Sequence, residues 1–199
     1  MKTITLHIYD SSNVDVTKLH QFPYLTDEDI CNINKFQTEL GKREQIISAY
    51  FKRKYVEEYY LDKNKKPLSD RTFFNISHSN GIVIFAQADV PIGVDIEHIK
   101  KIDKDIKEYV TSEEEYRSIK TDEDFFKIWI NKESLLKANG CGLTKDIKNV
   151  PAFPTEGIRE YKGKEYYSNI IKDNNYLISV TIQDTEDFII ESKIEKINL

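Results

Sequence analysis

An α+β protein of two similar lobes is the fold class this sequence predicts. Three observations carry that prediction. The 199 residues, 39% hydrophobic and 12% aromatic, suffice for a sizeable core. Apolar residues recur at helical spacing in some segments and at strand spacing in others. Helices and strands come in runs, and the two halves of the chain look alike in element type. The lobes are expected at 1–97 and 98–199, as one compact unit with an approximate boundary.

Each element has a local reason. Ile4 to Tyr9 reads as a first strand. Thr26 can cap a helix over about 27–37, because Asp27, Glu28 and Asp29 suit its first turn. From Lys42 to Tyr60 there is no Gly or Pro, and Ile46, Ile47, Tyr50, Phe51, Tyr55 and Tyr59 recur at helical spacing. That predicts a long helix. Three β-type runs follow, at 73–76, 82–88 and 92–97, with Asn80-Gly81 a hairpin signal between the first two. Thr111 or Ser112 can start a short helix at Glu113. A longer helix runs from about Asp122 to Asn139 and stops at Gly140. Strand-like runs at 158–161, 165–171, 176–183 and 188–192 close the chain.

The formal net charge is −5, which argues against a nucleic-acid surface. No apolar run approaches the roughly 18 residues of a membrane span, and the N-terminus does not read as a signal peptide. Cys31 and Cys141 form no CxxC pair and read as reduced thiols of a cytoplasmic protein.

Four constellations are capable of chemistry. In Pro91-Ile-Gly-Val-Asp-Ile-Glu97, Asp95 and Glu97 fall on one strand face, roughly 6.5 Å apart along the chain. Taken alone this is an ordinary wet strand face, but two convergent carboxylates also suit Mg²⁺. In the helix, Trp129, Glu133 and Lys137 lie along one ridge. An i,i+4 Glu–Lys pair is ordinary at a surface; in a cleft, Glu133 can take a proton and Lys137 can neutralise a phosphate oxygen. Ser77 and His78, at a strand end, can bind phosphate. The scattered basic set is Lys42, Arg43, Lys65 and Lys66. No P-loop, GxGxxG, GxSxG or zinc spacing is present.

In order along the chain, Lys66-Pro67, Phe74-Asn-Ile-Ser-His-Ser79, Ile92-Gly-Val-Asp-Ile-Glu97 and Trp129-Ile-Asn-Lys-Glu-Ser-Leu-Leu-Lys137 resemble the surfactin-type 4′-phosphopantetheinyl transferases. The family motifs (I/V)G(I/V)D(I/V)E and (F/W)xx(K/R)ExxxK are both complete, about 31 residues apart. The resemblance spans roughly residues 42–143. It implies two similar α/β lobes with pseudo-twofold symmetry and the active site at their interface. It also implies Mg²⁺-dependent transfer of phosphopantetheine from coenzyme A to a serine of an apo acyl or peptidyl carrier protein, releasing adenosine 3′,5′-bisphosphate. By that resemblance Asp95, Glu97 and Glu114 would ligate the metal, with Glu113 and Glu115 as rivals to Glu114. Glu133 would be the base and Lys137 would contact the reacting phosphate. Arg43, Lys66, Ser77 and His78 would hold coenzyme A, and the protein would act as a monomer. The helix at 27–34 lacks the basic residues such members often carry there, and Val110 stands where they often have Phe. The competing readings are a Mg²⁺-dependent nucleotide or coenzyme A phosphohydrolase and a non-catalytic carrier-binding module.

Overall fold

The computed structural model describes residues 2–62, 66–142 and 146–197. It is a mixed α/β structure. Among the described residues the ten strands are β1 (Lys2–Asp10), β2 (Tyr60–Leu61), β3 (Pro67–Leu68), β4 (Phe73–Ser79), β5 (Ile82–Ala88), β6 (Ile92–His98), β7 (Gly157–Tyr161), β8 (Lys164–Asp173), β9 (Tyr176–Ile182) and β10 (Phe188–Ile194). Among the described residues the five α-helices are α1 (Asp27–Asn34), α2 (Glu39–Tyr55), α3 (Lys104–Val110), α4 (Glu113–Ser118) and α5 (Asp122–Asn139). Two four-stranded sheets have the orders β10-β1-β5-β4 and β6-β9-β8-β7, and β2 with β3 forms a small separate pair. Sheet membership does not follow chain order. β6 already belongs to the second sheet, and β10 returns to the first, parallel to β1.

Three apolar layers hold the sheets and helices together. Ile46, Ile47, Tyr50 and Phe51 of α2 pack on Phe74, Val83 and Phe85 of the first sheet. Between the sheets, Ile4, Leu6, Ile84 and Ala86 join Ile92, Val94, Ile96, Ile178, Val180 and Ile182. The far side of the second sheet lies under α5, whose Phe125, Phe126 and Ile130 cluster with Leu177. Each fully buried Ile or Val contributes about 1.5–3 kcal/mol, so the inter-sheet layer is a main source of stability. It also uses up one face of β6, which leaves the alternate residues Gly93, Asp95 and Glu97 for α5.

The signals at element ends mostly hold. Thr26 and Asp29 form a reciprocal capping box on α1, and Thr121 and Asp124 do so on α5. Gly140 ends α5 at φ 80°. Asn80 (φ 48°) and Gly81 (φ 88°) make the tight hairpin turn. The long helix differs at both ends from the expected 42–60. Thr38 caps it earlier, and Glu57 at φ 61° turns the chain away after Tyr55. Tyr59 nonetheless packs on the α2 cluster, from outside the helix, which is why its spacing looked helical. Both thiols are free. Among the described residues no helix is long and apolar enough to cross a membrane.

Candidate active site

The site is built where the edge strands of the two sheets meet. β4 does not pair with β6 through its backbone; its side chains do the joining. Asn75 Oδ1 accepts from Val94 N–H at 3.0 Å, Ser77 Oγ from Ile96 N–H at 3.4 Å and Ser79 Oγ from His98 N–H at 3.1 Å. The two hydroxyls then donate onward, Ser77 to Asp95 Oδ1 at 2.9 Å and Ser79 to Glu97 Oε2 at 3.0 Å. Alternate β4 residues thus satisfy the free edge of β6 and aim its two acids.

α5 lies directly on β6 because residue 93 is glycine. A Cβ there would sit 2.0 Å from Ser134 O and 2.5 Å from Ala138 N. This close backbone approach brings the Trp129–Glu133–Lys137 ridge over the acids. Lys137 Nζ donates to Asp95 Oδ1 at 2.6 Å, Ser77 Oγ at 3.1 Å and Val94 O at 3.1 Å. Trp129 Nε1 donates to Glu97 Oε1 at 3.0 Å. Glu133 is buried between them, and its Oε1 has no hydrogen-bond partner among the described residues; the same holds for Asp95 Oδ2. Burial, reinforced by the Asp95 and Glu97 charges and opposed by Lys137, pushes the Glu133 carboxyl up to about 7. Burial and Asp95 also push Glu97 above its ordinary value, against the Ser79 and Trp129 hydrogen bonds.

Three carboxylates therefore share a largely dry site with one ammonium. Two buried oxygens without partners, all-oxygen donors and an excess of negative charge are what a hard divalent cation satisfies. The residues fit such an ion, although among the described residues no three acids, histidines or cysteines stand close enough together to enclose one.

Glu114, expected as a third metal ligand, is exposed on α4, and no contact among the described residues links it to Asp95 or Glu97. The reason is the helix cap. Ser112 and Glu115 cap α4 reciprocally, which turns Glu115 inward. There Glu115 pairs with the fully buried Lys132 at 2.7 Å and accepts from Ala152 N–H at 3.2 Å. The acid of that triplet that reaches the interior thus has a structural task, and Lys132 of the α5 motif is its partner. The third acid that the geometry brings to Asp95 and Glu97 is Glu133.

Of the remaining expected residues, Ser77 and Lys66 contact this centre, while among the described residues no hydrogen bond or ion pair links His78 or Arg43 to it. Ser77 is inside it. His78, on the same strand, is half-exposed, and its Nδ1 lies 3.0 Å from Glu44 Oε2. Lys66 donates to Lys137 O at 2.6 Å, at the C-terminal end of α5, where a cation complements the helix dipole. Burial pushes its ammonium down. Beside it opens a cleft of about 460 Å³ lined by Lys66, Pro67, Phe73, Ile92 and Asn139. Arg43, at the start of α2, pairs with Glu39 at 2.5 Å. Lys65 lies outside the described residues.

Sequence reasoning missed Asn75, Ser79 and Glu44. The polar alternation Asn75, Ser77, Ser79 was a visible signal for the first two; Glu44 left none, being on a different element from its partners.

The chain's similarities to known proteins converge on one family. Residues 91–187 match the model of the 4′-phosphopantetheinyl transferase superfamily, a span that holds β6, α5 and the second sheet. The 4′-phosphopantetheinyl transferase psf-1 of Bacillus pumilus is 28% identical over 149 residues, 65% of this chain and 64% of that protein. The transferase gsp of Aneurinibacillus migulanus is 41% identical over 96 residues, 44% of this chain and 40% of its own. Sfp of Bacillus subtilis (strain 168) is 35% identical over 105 residues, covering 44% and 47%. The chain spans less than two thirds of the length of these relatives. Both motifs are assembled into one site, and these likenesses support the surfactin-type class of the 4′-phosphopantetheinyl transferase superfamily.

Proposed function

We propose that this protein transfers the 4′-phosphopantetheine group of coenzyme A to a serine of an apo acyl or peptidyl carrier protein, releasing adenosine 3′,5′-bisphosphate. The observation that carries the reading is the convergence of Asp95, Glu97, Glu133 and Lys137 at the β6–α5 contact. Asp95 and Glu97 would hold Mg²⁺, and the partnerless oxygen of Glu133 is available as a third carboxylate. Bound there, Mg²⁺ would supply positive charge to the pyrophosphate. Lys137 neutralises the phosphate oxygen beside Asp95 and eases departure of the nucleotide. Glu133, raised to about 7, is suited to take the proton of a serine hydroxyl at neutral pH. Trp129 holds Glu97 in place. The cleft beside Lys66 and Pro67 offers room for part of the coenzyme, with Ser77, His78 and Arg43 as further hydrogen-bond donors to its phosphates.

In this reading the protein is two similar lobes, approximately 1–97 and 98–199, related by a pseudo-twofold axis, with the site at their interface. β6 and β10 hydrogen-bond in the sheet of the other lobe and so tie the halves together. One chain supplies the whole site, which supports a monomer, and the two free thiols agree with the reducing cytoplasm.

The test is mass spectrometry of apo carrier proteins from the source organism, incubated with coenzyme A, Mg²⁺ and this protein. A carrier should gain the mass of one phosphopantetheine group. Breakdown of coenzyme A with no carrier modified would instead favour the phosphohydrolase.

A further inference from the structure

Glu44 is a buried acid with two partners and no place in the chemistry above. It is 7% exposed. Its Oε1 accepts from Gly81 N–H at 2.9 Å, and its Oε2 meets His78 Nδ1 at 3.0 Å. Burial works against its charge, but these two hydrogen bonds outweigh burial and hold the carboxyl below its ordinary value. It is therefore a carboxylate, and a carboxylate only accepts. His78 Nδ1 must carry the hydrogen between them.

That assignment decides what the other ring nitrogen does. The His78 side chain is 40% exposed, and Nε2 has no partner among the described residues. On a neutral ring protonated at Nδ1, Nε2 offers a lone pair and opposes an anion. On the imidazolium it is an N–H donor, and the buried Glu44 charge then balances the ring. A ring already held by one nitrogen also loses less freedom when it binds.

We propose that Glu44 is a positioning residue for ligand phosphate: it clamps His78 by Nδ1 and supplies the counter-charge with which Nε2–H donates to a phosphate of the coenzyme. This rests on the transferase reading and on His78 as a phosphate contact. It adds a residue on α2 that acts through the ring and does not touch the ligand itself. The turn between β4 and β5 does not depend on Glu44 alone. Ser11 N–H and Oγ both donate to Gly81 O, at 2.8 and 2.7 Å. An isosteric amide at residue 44 should therefore leave the hairpin in place.

Calorimetric titration with coenzyme A and steady-state transfer kinetics test this on four full-length proteins: unsubstituted, Glu44→Gln, His78→Gln and the double variant. Glu44→Gln should raise Kd and KM for coenzyme A roughly tenfold, the value of one charge-assisted hydrogen bond. It should leave kcat within about twofold. In the His78→Gln background it should add nothing, because its effect passes through that ring. An equal loss in both backgrounds, a loss in kcat instead of KM, or no weakening at all would overturn the proposal and leave the transferase reading standing. Failure of the unsubstituted protein to bind coenzyme A would overturn both.

Discussion

Asp95 has two contacts that hold it and one oxygen that holds nothing. Ser77 and Lys137 share Oδ1, while Oδ2 is buried without a partner. A purely structural carboxylate would use both oxygens, since leaving a buried polar atom unpaired costs about 1–3 kcal/mol. In the proposed reading that idle oxygen is the one a bound cation would use, and removing the carboxylate should then damage activity far more than the fold. Asp95→Ala is expected to lower transfer at least 100-fold while the melting temperature shifts by only a few degrees; after it, Lys137 keeps Ser77 Oγ and Val94 O. Circular dichroism melting beside the carrier-mass assay decides the matter, and an unfolded variant would return Asp95 to a structural role. At this scale much was legible. The alternation of Asp95 and Glu97 with isoleucine and valine foretold one apolar and one polar face, and the spacing of Glu133 and Lys137 foretold a shared ridge. Which of Glu113, Glu114 and Glu115 turns inward was not legible from Val110-Thr-Ser-Glu-Glu-Glu-Tyr116, because the Ser112–Glu115 capping box and the buried partner Lys132 together place Glu115 inside.

α5 and β6 form the site as a pair, and their distance is set by an absent side chain. The Cβ of an alanine at position 93 would meet backbone atoms of Ser134 and Ala138 at 2.0 and 2.5 Å, and Lys137 Cβ at 2.9 Å. Helix backbone cannot yield locally, so α5 would have to lift as a unit. Below α5 the sheet is polar. Ser134 Oγ meets Ser179 Oγ and Thr181 Oγ1, both at 2.8 Å, and Ser179 Oγ donates to Asn131 Oδ1 at 2.8 Å, so a lifted helix also strains hydrogen bonds between fully buried groups. Overpacking of this kind costs about 1–3 kcal/mol or more. Gly93→Ala should lower the melting temperature by roughly 3–10 °C. Transfer should fall well beyond that loss, even at temperatures where the variant is fully folded, because Glu133 and Lys137 leave the acids together. Wild-type activity in a folded Gly93→Ala protein would refute the close contact. The elements themselves were largely readable from caps, turn residues and periodicity. Their ends were less so: Tyr59 sits at helical spacing yet lies beyond α2, since packing on a core does not require being in the helix.

The way the halves of the chain are tied together was the least legible level. Nothing local in Phe188–Ile194 says that it pairs in parallel with β1, the first strand of the chain. Nor does the sequence around Pro91 say that β6 leaves the sheet of β4 and β5. Non-local pairing is decided by which faces remain uncovered once the helices have docked. One buried acid reports on this closure. Glu195, just after β10, accepts from Tyr55 OH and lies against His7 Nδ1, both at 2.7 Å, and accepts from Lys54 Nζ at 3.1 Å; its N–H donates to Ile8 O at 2.8 Å. It thereby joins β10 to β1 and α2. Burial alone would raise its carboxyl, but the hydrogen bonds from Tyr55, His7 and Lys54 outweigh burial and hold it at about 2. Its unfolded value is about 4.3. The folded value is the lower one, so the folded state is favoured by the ionised form. The stabilisation is complete above about pH 4.5 and is lost as pH falls towards 2; integrated over that shift it is at most about 3 kcal/mol. Glu195→Gln should therefore cost up to that amount in urea unfolding at pH 7. The variant should also lose less stability than the unsubstituted protein between pH 4.5 and 2.5, so that the two curves converge in acid. Parallel curves across that window would mean that Glu195 does not carry the acid sensitivity of the β1–β10 closure.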